Sequence, residues 1–162
     1  MRQSGLTLEL EDEAATGQVG RRLADSIPKQ SKELLLTLRG ELGAGKTSLA
    51  RALLRALGAS GPVRSPTYTL VEPYDLPRGR VLHLDLYRLA GSTELELIGY
   101  RDLRAGSLLT LVEWPERAAE ALGQPDLEAE LEYAGRGRRL HLRAGTQAGR
   151  NWLEQLARQA GA

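Results

Sequence analysis

Residues 40–47 read Gly40-Glu41-Leu42-Gly43-Ala44-Gly45-Lys46-Thr47, a full match to G-x-x-x-x-G-K-[ST], between an apolar run at residues 34–38 and a helix-forming stretch at residues 47–57. Strand, glycine-rich turn and helix in that order leave few folds open. The apolar run has the make-up of a strand buried on both faces, which belongs in a parallel sheet covered by helices. The turn must then deliver its amides to the positive end of a helix, a ready-made anion site. Gly40 permits the sharp turn off the strand, and Gly45 allows the backbone to approach phosphates where a Cβ would obstruct it.

The rest of the chain fits that frame. Residues 6–10 alternate apolar and polar side chains, as a short strand does. Asp12 or Thr16 can open the next helix, which carries Val19, Leu23 and Ile27 on one face and stops near Pro28. Residues 80–85 (RVLHLD) and 107–113 (SLLTLVE) are strand-like runs that end in the carboxylates Asp85 and Glu113. A polar, helix-prone segment between them is long enough for a crossover. Residues 117–122 suit a short helix. Residues 126–144 alternate with period two on both sides of a glycine-containing turn and predict a hairpin, and residues 151–159 predict an amphipathic helix. Gly58 is placed to end the helix at residues 47–57. The fold class expected is α/β: a P-loop NTPase-like three-layer fold with a mostly parallel central sheet, an antiparallel C-terminal hairpin and flanking helices. One domain of residues 1–162 is expected, with residues 145–162 as its C-terminal helix.

The loop assigns chemistry to particular atoms. Lys46 is positioned to bridge β- and γ-phosphates, and the Thr47 hydroxyl to contact Mg²⁺. Glu41, Leu42, Gly43, Ala44, Gly45 and Ser48 complete the expected cradle. In open α/β sheets the ligand lies beyond the carboxyl ends of the strands, so Asp85 and Glu113 are candidates for holding the metal or the attacking water. His83 and His141 sit within alternating strands and read as structural. Arg136, Arg138, Arg139 and Arg143 make a basic hairpin, the ordinary reading of which is a solvated turn.

Composition narrows the class. With 22 basic and 21 acidic residues the net charge is +1, less basic than a protein whose main task is gripping a phosphate backbone. There is no cysteine, which excludes a redox motif or a Cys-based zinc site. Only three of the 22 basic residues are lysines, so a lysine inside the loop is a marked choice. No stretch approaches the length of a membrane span and the first ten residues lack signal-peptide character, so the expectation is a soluble cytoplasmic protein.

Around the loop, further motifs follow in order: GELGAGKTSLAR, VRSPTYTLVEPY, HLDLYRL, LELIGYRDL and LVEWPE. Together they resemble the TsaE family, small bacterial P-loop ATPases of tRNA threonylcarbamoyladenosine biosynthesis, from residue 13 to about residue 143. The resemblance implies binding of ATP or ADP with Mg²⁺ and slow hydrolysis by the isolated chain. It also implies docking onto a TsaB–TsaD-like complex, through which tRNA is served indirectly, with ATP use resetting that complex between turnovers. By position it makes Lys46, Asp85 and Glu113 the catalytic set and Thr47, Glu113 and Asp85 the metal set. Ser65, Pro66, Thr67 and Tyr68 become a γ-phosphate-sensing or partner-facing loop, and Trp114 supports the site or a partner surface. The nucleotide base is expected between Glu13 and the hairpin near Gly137. Leu84 departs from the Phe common in the family, a core change that leaves the chemistry untouched.

A P-loop kinase acting on a small molecule is the alternative. It needs an acceptor pocket and commonly a lid of arginines, whereas residues 91–103 hold one arginine. A GTPase is disfavoured by the missing Asn-Lys-x-Asp motif, since the one asparagine is Asn151.

Overall fold

The computed structural model describes residues 4–160. Seven strands form one sheet in the order β1-β7-β6-β2-β5-β4-β3. They are β1 (Gly5–Leu10), β2 (Leu34–Gly40), β3 (Val71–Leu76), β4 (Gly79–Asp85), β5 (Leu109–Glu113), β6 (Leu127–Ala134) and β7 (Gly137–Ala144). The four central strands, β6-β2-β5-β4, run parallel, and antiparallel pairs close both edges. The helices are α1 (Glu13–Asp25), α2 (Lys46–Ala56), α3 (Ser92–Leu97), α4 (Tyr100–Arg104), α5 (Ala119–Leu122) and α6 (Gln147–Ala160).

Sheet alternation sorts the core into two layers. Leu34, Leu36 and Leu38 of β2, with Leu109 and Leu111 of β5, face the side of α1, α2 and α6. Leu35, Leu82, Leu84 and Val112 face the side of α3 and α5. The polar positions His83, Asp85 and Glu113 continue the first face in period two toward the strands' C-terminal ends, where Glu113 meets Thr47 in the first turn of α2. The three-layer architecture is thus built with the site at the edge of the α1–α2 layer.

Local chemistry fixes the elements. Asp12, not Thr16, caps α1, its Oδ1 accepting from the Ala15 amide at 2.9 Å. Leu57 caps α2, and Gly58 follows with φ 113°. The crossover between β4 and β5 is two short helices, and a 3₁₀ turn over Pro115–Ala118 precedes α5. Two differences from sequence-based expectation stand out. Strand β3 pairs antiparallel with β4 although Glu72, Pro73 and Asp75 dilute its strand signal; an edge strand tolerates a proline. Helix α6 starts four residues earlier than residue 151, because Thr146 Oγ1 accepts from the Gly149 amide at 3.0 Å and donates to Asp126 Oδ1 at 2.7 Å. No helix among the described residues is long and apolar enough to cross a membrane.

Candidate nucleotide site

The loop leaves β2 at Gly40, whose φ is 149° and where a Cβ would lie 2.6 Å from the Leu131 carbonyl oxygen. Neither condition admits a larger residue. Gly45, with φ 109°, forms the N-cap of α2, so the chain enters the helix with its first amides free. Lys46 Nζ donates to the Gly40 carbonyl and, at 3.0 Å, to that of Glu41, and lies 4.0 Å from the Trp114 ring centroid. Burial pushes the Lys46 ammonium below its usual range, while Glu113, Glu116 and Asp85 pull the other way. The ammonium is thus held by loop carbonyls and the Trp114 ring, with no direct ion pair among the described residues.

Two carboxylates end adjacent strands in register, Asp85 opposite Glu113, and they have different partners. Glu113 Oε1 accepts from Thr47 Oγ1 at 2.8 Å, and Glu113 Oε2 lies 2.7 Å from His83 Nε2. Asp85 Oδ2 accepts from Ser65 Oγ and Thr67 Oγ1, each at 3.1 Å, and Oδ1 from the Tyr87 amide at 3.0 Å. So Glu113 belongs with the P-loop threonine, whereas Asp85 ties down the segment holding Ser65 and Thr67. Both carboxylates are buried. Pro66 anchors that segment differently, its carbonyl accepting from the Leu70 amide at 2.7 Å, and Tyr68 stands 83% exposed beneath the Arg88 guanidinium. Trp114 takes the left-handed conformation at φ 58°, turning the chain so that its ring lies under Lys46 and 5.0 Å from Tyr87. An outlier of that kind beside buried charges persists only where the surroundings hold it.

The loop is the shared wall of two clefts. One, of about 320 Å³, lies between Lys46, Thr47, Asp85, Glu113 and Trp114. The other, of about 230 Å³, lies between Glu13, Thr16, Ser48, Arg136, Gly137 and Arg138. Gly43, Gly45 and Ser48 border both. Glu13 and Gly137, far apart in sequence, are thus brought to one cleft beside Ala44, while Leu42 and Glu41 stand exposed at the loop's tip. The hairpin also holds the loop: Tyr133 donates to the Leu42 carbonyl at 2.9 Å, and the Arg138 guanidinium stacks 4.2 Å from the Tyr133 ring centroid and donates to the Gly43 carbonyl at 3.4 Å. Arg139 pairs with Glu9 and Glu132, and His141 contacts Thr7 and Glu132 at the surface, as a structural residue does. His83, read from the sequence as structural, is wholly buried and its Nε2 lies 2.7 Å from Glu113 Oε2, a contact which that reading does not include. The signal available was its period-two spacing from Asp85.

The donor set suits a hard cation. A threonine hydroxyl and a carboxylate oxygen 2.8 Å apart are the ligands Mg²⁺ accepts when it keeps waters and phosphate oxygens for its remaining positions. No group of three or more His, Asp or Glu placed to cage a metal occurs among the described residues, and an Mg²⁺ carried by a nucleotide does not require one.

The family model described as "Threonylcarbamoyl adenosine biosynthesis protein TsaE" matches residues 10–140. The chain belongs to the TsaE family. The tRNA threonylcarbamoyladenosine biosynthesis protein TsaE of Haemophilus influenzae is 38% identical over 154 residues, which cover 94% of this chain and 98% of the relative. The Synechocystis TsaE is 38% identical over 76% of this chain and 79% of its own length, and the Aquifex aeolicus TsaE 41% identical over 67% and 75%. Among solved structures, that of Bacillus subtilis YdiB superposes with a TM-score of 0.81 at 25% identity, covering 99% of this chain and 98% of the other. The TsaE match spans α1, the P-loop, both carboxylate-bearing strands and the first part of the hairpin, so both clefts lie within it.

Proposed function

We propose that this chain binds and slowly hydrolyses Mg-ATP as the accessory protein that drives or resets the complex forming threonylcarbamoyladenosine beside the tRNA anticodon. The pathway comes from its TsaE relatives, all described as tRNA threonylcarbamoyladenosine biosynthesis proteins. The chemistry rests most on one observation, the 2.8 Å contact between Thr47 Oγ1 and Glu113 Oε1 at the head of the P-loop helix. A kinase would use the same loop; the TsaE family match over residues 10–140 favours the accessory role over it.

Each residue then has a task. Lys46 and the loop amides hold the phosphates, and Thr47 with Glu113 holds the metal. Bound there, Mg²⁺ neutralises charge on the β- and γ-phosphate oxygens. Asp85, through Ser65 and Thr67, holds the segment that reports whether a γ-phosphate is present. Glu13, Ala44 and Gly137 border the cleft for the base, with Ser48 shared between base and phosphates. Trp114 backs the Lys46 ammonium and faces, with Tyr68, the surface on which a TsaB–TsaD-like complex docks. tRNA is reached through that complex, in the cytoplasm.

The test is threonylcarbamoyl transfer to tRNA by a matched TsaB–TsaD complex in limiting amount. With this chain and ATP, product exceeds one equivalent of complex; with Lys46→Ala it stops near one. Equal product with both proteins would contradict the role.

A further inference from the structure

The α1–α2 face of the sheet is apolar at Leu36, Leu38, Val81, Leu109 and Leu111, and His83 interrupts it. Its side chain is wholly buried, yet the ring's polarity is used at one place. Nε2 lies 2.7 Å from Glu113 Oε2, while Nδ1 has no hydrogen-bond partner among the described residues. A buried polar ring with one nitrogen unpaired costs more than the aliphatic side chain its neighbours use. Packing alone therefore does not account for a histidine here; the bond to Glu113 does.

We infer that His83 is a positioning residue: it fixes the Glu113 carboxylate so that one defined oxygen faces Thr47 and the metal. This deepens the Mg-nucleotide reading above and rests on it. A carboxylate at the end of a strand can rotate about its last side-chain bond. Here Oε2 is taken by the His83 N–H and Oε1 by the Thr47 hydroxyl, so both oxygens are assigned before any ligand arrives. His83 and Glu113 stand on the adjacent parallel strands β4 and β5, two of the most buried elements of the sheet, so the donor cannot drift. Outer-shell hydrogen bonds of this type orient metal-binding groups, and their loss typically costs about 10–100-fold in metal affinity or activity.

The experiment titrates Mg²⁺ against the full-length protein with a fluorescent N-methylanthraniloyl ADP, reading nucleotide affinity with and without EDTA. His83→Leu keeps the volume and removes the donor. His83→Gln places an amide N–H near the position of Nε2; His83→Asn is too short to do so. His83→Leu and His83→Asn are expected to raise the Mg²⁺ midpoint about 10–100-fold with affinity in EDTA unchanged, and His83→Gln to return it close to wild type. The pair His83→Gln and His83→Asn carries the test if His83→Leu does not fold. A midpoint unmoved in His83→Leu, or equal shifts in His83→Gln and His83→Asn, overturns the positioning role. A wild-type protein whose nucleotide affinity ignores Mg²⁺ overturns the underlying reading and the inference with it.

Discussion

Lys46 illustrates how a single side chain is prepared for its ligand. Two backbone carbonyls and the Trp114 face hold the ammonium without neutralising it, and burial lowers its pKa from the ordinary 10.5. The folded protein thus releases this proton at lower pH than the unfolded chain does. Between those two values, raising the pH favours the folded state, because the unfolded chain then binds more protons. Phosphate binding moves the opposite way, since the positive charge is lost. ATP affinity is therefore expected to fall on the alkaline side with an onset below pH 10.5, the free lysine value. Lys46→Arg, which stays charged, should remove that onset. A binding titration that is flat up to that pH in the wild type would contradict the burial of the ammonium. At this scale the sequence was most legible where a motif names an atom, as at Lys46 and Thr47. It was least legible at His83, whose role depends on which oxygen of a neighbouring strand's carboxylate it meets.

Among the elements, α6 shows how an outer helix is held: Leu153 and Leu156 are buried in the core beside one polar anchor. Helix α6 is fastened to α1 by Trp152, wholly buried, whose Nε1 donates to the Leu23 carbonyl at 3.0 Å and to Ser26 Oγ at 3.1 Å. Because α1 carries Glu13 at its start, this contact also supports one wall of the second cleft. Trp152→Ala is expected to cost about 3–5 kcal/mol from the cavity it leaves, and Trp152→Phe about 1 kcal/mol from the lost hydrogen bonds, both read by urea unfolding. A Trp152→Ala loss below about 1 kcal/mol, the size of one hydrogen bond, would show that α6 is not anchored there. Amphipathic spacing announced α6 but not its first turn, which depends on Asp126 and Thr146 meeting across the fold. The strands β2, β4 and β5 were readable because burial on both faces demands apolar runs. Strand β3 was not, because an edge strand needs no such run.

The molecule as a whole is a parallel centre with antiparallel margins, and the site occupies the end where the central strands stop. One cleft is lined by Asp85 and Glu113 and the other by the hairpin residues Arg136, Gly137 and Arg138, with the loop as their common wall. Ser65 and Thr67 line the first cleft and Arg136, Gly137 and Arg138 the second, so a nucleotide spanning both, as proposed, would touch that segment and the hairpin at once. A protein built so is suited to converting nucleotide state into a change of surface, which is the work proposed for it. The most direct measurement is ATP turnover by the purified protein, alone and with a matched TsaB–TsaD complex and tRNA. Slow turnover alone that rises at least several-fold with the complex is the predicted result. Turnover that is the same with and without the complex would contradict the claim that the phosphate is spent on that machine.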